Sequence, residues 1–388
     1  MLDLFSSVVL AAFVAALVTN LTVPVSARVA ELLGAIDHPG HRKSQRLPTP
    51  RMGGLAIVLG FVTGAGFVLL AGWADRLAEI GRVELYSVGL ATFLIFLVGV
   101  VDDVAGVSVL KKLLVQVAAA WLVVRVGWEF EVIRLPFFGG VDLGPFQGLV
   151  TILWIVGVTN AINFVDGIDG LAGGVVAIVS SSFLVYALMQ GRILTVVWIA
   201  AVVGACVGFL RHNWEPARVF MGDSGSLTLG FLLATISVHS ALKAPVAVAI
   251  LVPILALGVP VIDAFLVMRI RFFRHHPART GVLKRFFRMF QADRRHLHHV
   301  LLHLGVDRRR IVAGIYALVL LCCAGSLWVA LERNPHLGVL LVAVELAVVV
   351  GLRRLGAGRD APPPSASSTW PAPPSSEAVA TENRRRPA

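Results

Sequence analysis

L-V-T-I-L-W-I-V-G-V-T-N-A-I-N-F-V-D-G-I-D-G-L-A-G-G-V-V-A-I-V-S, residues 149–180, decides the architecture. Two apolar runs, long enough or nearly long enough to cross a bilayer, meet at a glycine-flanked pair of acids, Asp166 and Asp169. An ionised Asp at the bilayer centre costs about 2.5–3.5 kcal/mol, so these acids belong at the ends of spans. The arrangement recurs in V-D-D-V-A-G at 101–106, with Asp102 and Asp103, and in R-V-F-M-G-D-S-G-S at 218–226, with Asp223. Held at depth, five such groups would cost on the order of 15 kcal/mol. Lining one aqueous cleft costs far less, and carboxylates clustered there repel one another unless a cation sits among them. The pattern reads as a metal-dependent site at a membrane surface.

Composition points the same way. Hydrophobic residues make up 57% of the 388-residue chain and charged residues 15%, against roughly 25% charged in soluble domains. Eleven apolar runs fall at about 4–24, 53–71, 85–101, 110–126, 147–163, 172–190, 193–210, 225–242, 245–267, 311–331 and 337–353. The predicted fold is all-α, a polytopic transmembrane bundle of about eleven spans with cytoplasmic active-site loops. The fifth run is short and contains Asn160 and Asn163, which predicts that its end unwinds into the cleft. Pro253 and Pro260 predict a kink or break in the ninth. Residues 128–146 form an outer loop with Pro and Gly, for which a short hairpin is one reading. The first run lacks a basic leader and a small-residue cleavage site, and so reads as a retained helix. Cys206, Cys322 and Cys323 all lie in apolar runs, which disfavours a disulfide framework or a thiolate metal site. Residues 1–355 form the membrane domain, and 356–388, rich in Pro, Ser and Ala, a disordered cytoplasmic tail.

The net charge of +11 reports topology and contact with membrane lipids rather than nucleic acid. If the first helix starts outside, the segments on the cytoplasmic side hold 27 Lys and Arg and the outer segments 7. That split predicts a cytoplasmic C-terminus and puts all three acidic segments on the cytoplasmic face.

Each acidic segment has its own chemistry. Asp102 and Asp103, followed by Lys111 and Lys112, suit a divalent metal or a base beside one; the alternative is a hydrated helix end. In N-A-I-N-F-V-D-G-I-D-G (160–170), Gly167 and Gly170 permit turns, Asn163 offers a donor and an acceptor, and Asp166 and Asp169 can share one face of a helical turn. In R-V-F-M-G-D-S-G-S, Ser224, Gly225 and Ser226 open a helix whose N-terminus favours phosphate. Asp223 is placed there to hold a cation, and Phe220 offers a face for a base. A fourth segment, R-R-H-L-H-H at 294–299, lacks zinc spacing and reads better as contacts to pyrophosphate oxygens. The basic loop at 37–54 could present Arg42, Lys43, Arg46 or Arg51 to phosphate.

In this order the five segments resemble the polyprenyl-phosphate N-acetylhexosamine-1-phosphate transferase superfamily, over about residues 25–310. N-x-x-N-x-x-D-G-x-D-G together with F-M-G-D-S-G-S carries the specificity of the match. The resemblance implies transfer of a sugar 1-phosphate from a UDP-N-acetylhexosamine to a polyprenyl phosphate, with release of UMP. It implies Mg²⁺, with Mn²⁺ as a substitute, at the cytoplasmic face of the plasma membrane, and it allows a homodimer. By matching position, Asp223 resembles the metal-binding Asp, and Asp102 and Asp103 the acidic pair that is catalytic or joins the metal. Asn163, Asp166 and Asp169 match positions around the nucleotide, and Asn213 and Phe220 match uridine contacts. His296, His298 and His299 resemble the histidine motif near the sugar diphosphate. Arg46 stands where one branch has a Lys on the uridine side. The H-x-H-H form resembles the GlcNAc-1-phosphate transferase branch, with UDP-GalNAc, a 6-deoxy sugar or UDP-MurNAc-pentapeptide as alternative donors.

Two other classes keep acids in membranes. An ion-coupled transporter places them near the midplane, not at span ends on one side. An intramembrane aspartyl protease would show G-x-G-D, but Phe220 stands two positions before Gly222. The charge split itself is testable: a reporter fused after Arg386 should behave as cytoplasmic, and external accessibility there would overturn the orientation.

Overall fold

The computed structural model describes residues 4–38, 48–68, 82–135, 139–191, 193–241, 250–273, 289–290 and 296–357. Eleven long helices account for the eleven apolar runs: α1 (Leu4–Leu33), α2 (Gly53–Val68), α3 (Arg82–Ala105), α4 (Val109–Val124), α5 (Gln147–Val165), α6 (Leu171–Met189), α7 (Ile193–Asn213), α8 (Gly222–Ala241), α9 (Leu251–Phe273), α11 (Arg308–Glu332) and α12 (Pro335–Ala357). A short helix, α10 (Leu297–His303), precedes α11. Among the described residues, nine helices are long and apolar enough to cross a membrane. The shorter α2 and α4, 16 residues each, reach about 24 Å at 1.5 Å per residue. The chain is a multi-pass membrane protein. Among the described residues there are two antiparallel ribbons: β1 (Ile36–Asp37) with β2 (Thr49–Pro50), and the hairpin of β3 (Val132–Leu135) with β4 (Gly139–Asp142).

The helix α8 is the axis, with 94% of its spanning window buried. It packs against α2, α3, α5, α6 and α7. Without a hydrophobic drive between helices in lipid, close packing depends on small residues. The buried stripe of α1 is Ser7, Ala11, Ala15, Thr19, Val23, Ser26 and Ala30. The stripe meets Gly60 and Gly64 of α2, and beside it α1 meets Gly204 and Gly208 of α7, where a Cβ would overlap the carbonyl groups of Ala12 and Ala16. The opposite face of α1 shows Phe5, Phe13 and Leu21 outward, as lipid requires.

One expectation is corrected, and of the kink or break expected in the ninth span the break is absent. The fifth span does not unwind at its asparagines: α5 stays helical to Val165. Asn160 Nδ2 donates to Gln116 Oε1 at 2.6 Å and to Val156 O at 2.8 Å, so the buried amide is satisfied without breaking the helix. The ninth span does not break either. Pro253 falls in the first turn of α9, where its missing N–H costs nothing, and only Pro260 is interior. The tail from 358 and Arg46 lie outside the described residues.

The α1–α7 contact sets a stability test. Gly208→Leu should cost roughly 1–3 kcal/mol or more by overpacking, lowering the melting temperature of detergent-solubilised protein. Gly89→Leu, where nothing lies within 4 Å of a Cβ, should leave it nearly unchanged. Equal melting temperatures for the two variants would show that α1 is not held by this contact.

Candidate active site

The three acidic segments meet at one end of the bundle, around the start of α8. Gly222 has φ +71°, and a Cβ there would come within 2.5 Å of Asp103 Oδ2, so only glycine fits. The carboxylate of Asp103, 2% exposed, accepts from the backbone N–H of Asp223 at 2.8 Å and of Ser224 at 3.0 Å. These are donors that a helix start leaves without intrahelical partners. The anion at this helix N-terminus is therefore the protein's own carboxylate, where a phosphate was expected. Each oxygen of Asp103 thus accepts one backbone N–H, whereas Asp102 and Asp223 each turn one oxygen toward Lys112. Arg51 secures the preceding turn, donating through Nε and Nη2 to the carbonyl of Asp103 at 3.2 and 3.0 Å. The chain entering α8 is pinned on its other side, since Phe220 O and Met221 O accept from Gly53 and Gly54 of α2. Phe220 stays partly exposed.

Asp223 is then presented on the first turn of α8. Its Oδ1 accepts from Asn163 Nδ2 at 3.1 Å, and its Oδ2 from Lys112 Nζ at 2.6 Å. Asn163 also donates to Ser226 Oγ at 2.9 Å. Lys112 Nζ lies 2.9 Å from Asp102 Oδ2, while Asp102 Oδ1 accepts from Val107 N at 2.6 Å. Among the described residues no group of three or more His, Cys, Asp or Glu forms a closed metal cage. Mg²⁺ rarely needs one, being held by one or two carboxylates together with substrate phosphates. Two carboxylate oxygens converging on one cation fit it.

The loop 166–170 is a turn rather than a helical face. Gly170, at φ +76°, ends the turn. Asp169 Oδ2 accepts from Ala217 N at 2.9 Å, tying this loop to the one before α8. Asn213, 3% exposed, has both ends of its amide engaged: Oδ1 accepts from Gly170 N and Nδ2 donates to Val219 O, each at 2.9 Å. Its side chain shapes the walls of the cleft. Tyr316 of α11 donates to Gly170 O at 2.5 Å. The Asp166 carboxyl is pushed up to about 8 by burial first, then by Asp223, Asp103 and Asp169.

The histidine motif enters from the other side, and its three rings differ in role. His296, 3% exposed, sits with Nδ1 2.8 Å from Asp263 Oδ2 and Nε2 3.3 Å from Arg271 Nη2. A guanidinium only donates, so Nε2 accepts and Nδ1 carries the proton. Asp263 also accepts from Leu297 N at 3.0 Å and from Arg353 Nη1. His298 is buried and reaches the acidic loop: a Cβ on Gly167 would stand 2.5 Å from its Nε2, which has no hydrogen-bond partner among the described residues. Burial, then His299 and His296, lower its pKa well below the usual imidazole value. It faces the loop as a neutral ring. His299 lies beside it, ring centroids 4.3 Å apart. Arg46, Arg42, Lys43, Arg294 and Arg295 lie outside the described residues. Asp263, Arg271 and Arg353 were missed as site residues. The signal was there in P-V-I-D-A-F, since an acid within an apolar span is a functional candidate by default.

Asp166 gives a pH signature. Between about pH 4 and 8 the folded carboxyl keeps its proton while the unfolded one loses it, so stability falls as pH rises and levels off above 8. In ligand-free protein with chelator, the melting temperature of Asp166→Asn should therefore gain on wild type from pH 5 to 8, by roughly a few degrees. It should run parallel above that. A constant difference across the range would remove the raised carboxyl.

Residues 85–241, which hold all of the acidic segments, match the family model described as Glycosyl transferase family 4. The chain is 34% identical over 312 residues to the probable undecaprenyl-phosphate N-acetylglucosaminyl 1-phosphate transferase of Bacillus subtilis, covering 80% of this chain and 82% of that one. It is 33% identical over 373 residues to the decaprenyl-phosphate N-acetylglucosaminephosphotransferase of Mycobacterium tuberculosis, covering 88% of each. A phospho-N-acetylmuramoyl-pentapeptide-transferase of Limosilactobacillus fermentum is 32% identical over 295 residues, 73% of this chain and 82% of its own. With its acids gathered at one end of a membrane bundle and relatives matched over most of their length, the chain belongs to the polyprenyl-phosphate N-acetylhexosamine-1-phosphate transferase superfamily, glycosyl transferase family 4.

Proposed function

We propose that this protein transfers N-acetylglucosamine 1-phosphate from UDP-GlcNAc to a polyprenyl phosphate at the cytoplasmic face of the plasma membrane. The observation that carries the reading is the convergence of Asp102, Asp223, Asn163 and Lys112 at the start of α8. It occurs in a chain whose relatives over 80% and 88% of its length are named as GlcNAc-phosphate transferases.

An oxygen of the acceptor phosphate forms a new bond to the donor's β-phosphorus. The bond from that phosphorus to the UMP oxygen breaks, and UMP leaves with the electron pair. A phosphate dianion is already nucleophilic, which favours a single displacement over a covalent aspartyl intermediate. The protein's share is alignment and neutralisation of charge. Asp223 and Asp102 would hold Mg²⁺, which when bound supplies charge stabilisation on the diphosphate oxygens. Asn163 fixes the rotamer of Asp223, and Asp103 fixes its backbone. Neutral His298, with His299 beside it, borders the loop of Asp166 and Asp169, where the sugar diphosphate would lie. Asp166 of that loop would face the nucleotide, while Asp169 holds the loop through Ala217 N.

Purified enzyme with undecaprenyl phosphate and Mg²⁺ should release UMP from UDP-GlcNAc, and Asp223→Asn should lower turnover by about 100-fold or more with the fold intact. Near-normal turnover of a well-folded Asp223→Asn protein would remove its role. Preference for UDP-MurNAc-pentapeptide would change the donor and keep the reaction class. Failure to release UMP from any UDP-sugar would point to the transporter or protease class instead.

A further inference from the structure

The ammonium of Lys112 stands where the two cation-facing oxygens of the site meet. Asp102 and Asp223 are arranged alike. Each has one oxygen pinned by an N–H donor, Asp102 Oδ1 by Val107 N and Asp223 Oδ1 by Asn163 Nδ2. The second oxygen of each is turned to Lys112 Nζ, at 2.9 and 2.6 Å. All three side chains are mostly buried, at 22% exposure for Lys112, 14% for Asp102 and 23% for Asp223. The carboxylates sit on short stems at helix ends held by backbone hydrogen bonds. Lys112 hangs on four methylenes from the first turn of α4. Of the three groups, it is the one free to move.

We infer that Lys112 and the divalent cation compete for Asp102 Oδ2 and Asp223 Oδ2, and that metal binding transfers the ammonium to the phosphate oxygens of the substrates. This rests on the reading of Asp102 and Asp223 as the cation-holding pair. Without metal, the ammonium neutralises two buried carboxylates that would otherwise repel each other. With metal, the displaced charge stays over the cleft on the same turn as exposed Lys111. A bound diphosphate gives it a new partner there. Cation and nucleotide then reinforce each other's binding, because each relieves a cost that the other imposes on Lys112.

The test uses full-length protein in nanodiscs, stripped with chelator, with Mn²⁺ as the probe and its free form counted by electron paramagnetic resonance. Lys112→Met and Lys112→Gln should bind Mn²⁺ on the order of tenfold more tightly than wild type, because a positive charge in contact with both ligands is gone. Their turnover should fall. UDP should tighten Mn²⁺ binding to wild type and do so less in these variants. Lys112→Arg keeps the charge and should bind Mn²⁺ no more tightly than wild type. In wild type, Mn²⁺ should also speed acetylation of Lys112 as read by mass spectrometry, a result that needs no variant to fold. Equal or weaker Mn²⁺ binding by the folded neutral variants, or unchanged labelling of Lys112 at saturating Mn²⁺, overturns the competition and leaves the metal reading standing. No Mn²⁺ binding by wild type, with or without UDP, overturns both.

Discussion

The carboxylate of Asp103 accepts two N–H groups from the first turn of α8, those of Asp223 and Ser224, and the geometry of the cleft depends on that contact. A helix start carries unpaired donors and the positive end of the macrodipole. An ionised carboxylate in an apolar setting is expensive unless it is hydrogen-bonded. Each problem offsets the other, so the end of α3 and the start of α8 are fastened at one point. Gly222 is required because its backbone has positive φ and its missing Cβ leaves room for Asp103. Gly99 is required one turn earlier on α3, since a Cβ there would come within 2.5 Å of Ser224 Cα. The side chain of Asp223 is aimed into the cleft by a backbone that cannot rotate away.

Neighbouring acids therefore divide the labour. Successive residues on a helix point about 100° apart, so Asp102 and Asp103 cannot address the same group. Asp103 turns inward to α8, and Asp102 turns toward Lys112 and the cleft. The same separation appears in the other acidic loop, where Asp169 is spent on Ala217 N while Asp166 remains among the carboxylates of the site. In both pairs one member is tied to a backbone N–H of the α8 entry, and the other is left among the acids of the cleft. A cleft built from span ends needs this, because each loop must be held by something other than a regular hydrogen-bond ladder.

The bundle itself was legible because membrane spans announce themselves by length and apolarity, and every apolar run became one helix. The gathering of the acidic segments in one cleft was legible, but not the partnerships within it. Asp103, Asn213 and His296 carry the right chemistry for ligand contact, yet the fold consumes their polar atoms internally. A sequence shows which donors and acceptors exist, whereas their pairing depends on long-range packing. Lys112 and Asn163 illustrate the same limit, since their meeting at Asp223 spans 111 and 60 residues of chain. Asp263 was hidden for a different reason. It lies within a run whose apolarity was read as a span, and one acid does little to the average.

That buried acid explains how the histidine motif is held without a cage of ligands. Asp263 joins α9 to the start of α10 through Leu297 N, to the ring of His296, and to α12 through Arg353. Arg271, about two turns further along α9, closes the circuit by donating to His296 Nε2 and to Met289 O. Two guanidinium groups around one carboxylate and one imidazole leave a net positive charge beside His296. His296 is thereby turned into a strut, and its ring lies stacked 6.0 Å from that of His298. His298 is carried forward against Gly167, where only hydrogen fits between ring and backbone. The positive end of the cleft is thus assembled from three helices outside the segment that the family model matches, on a scaffold whose last helix contributes Arg353 directly.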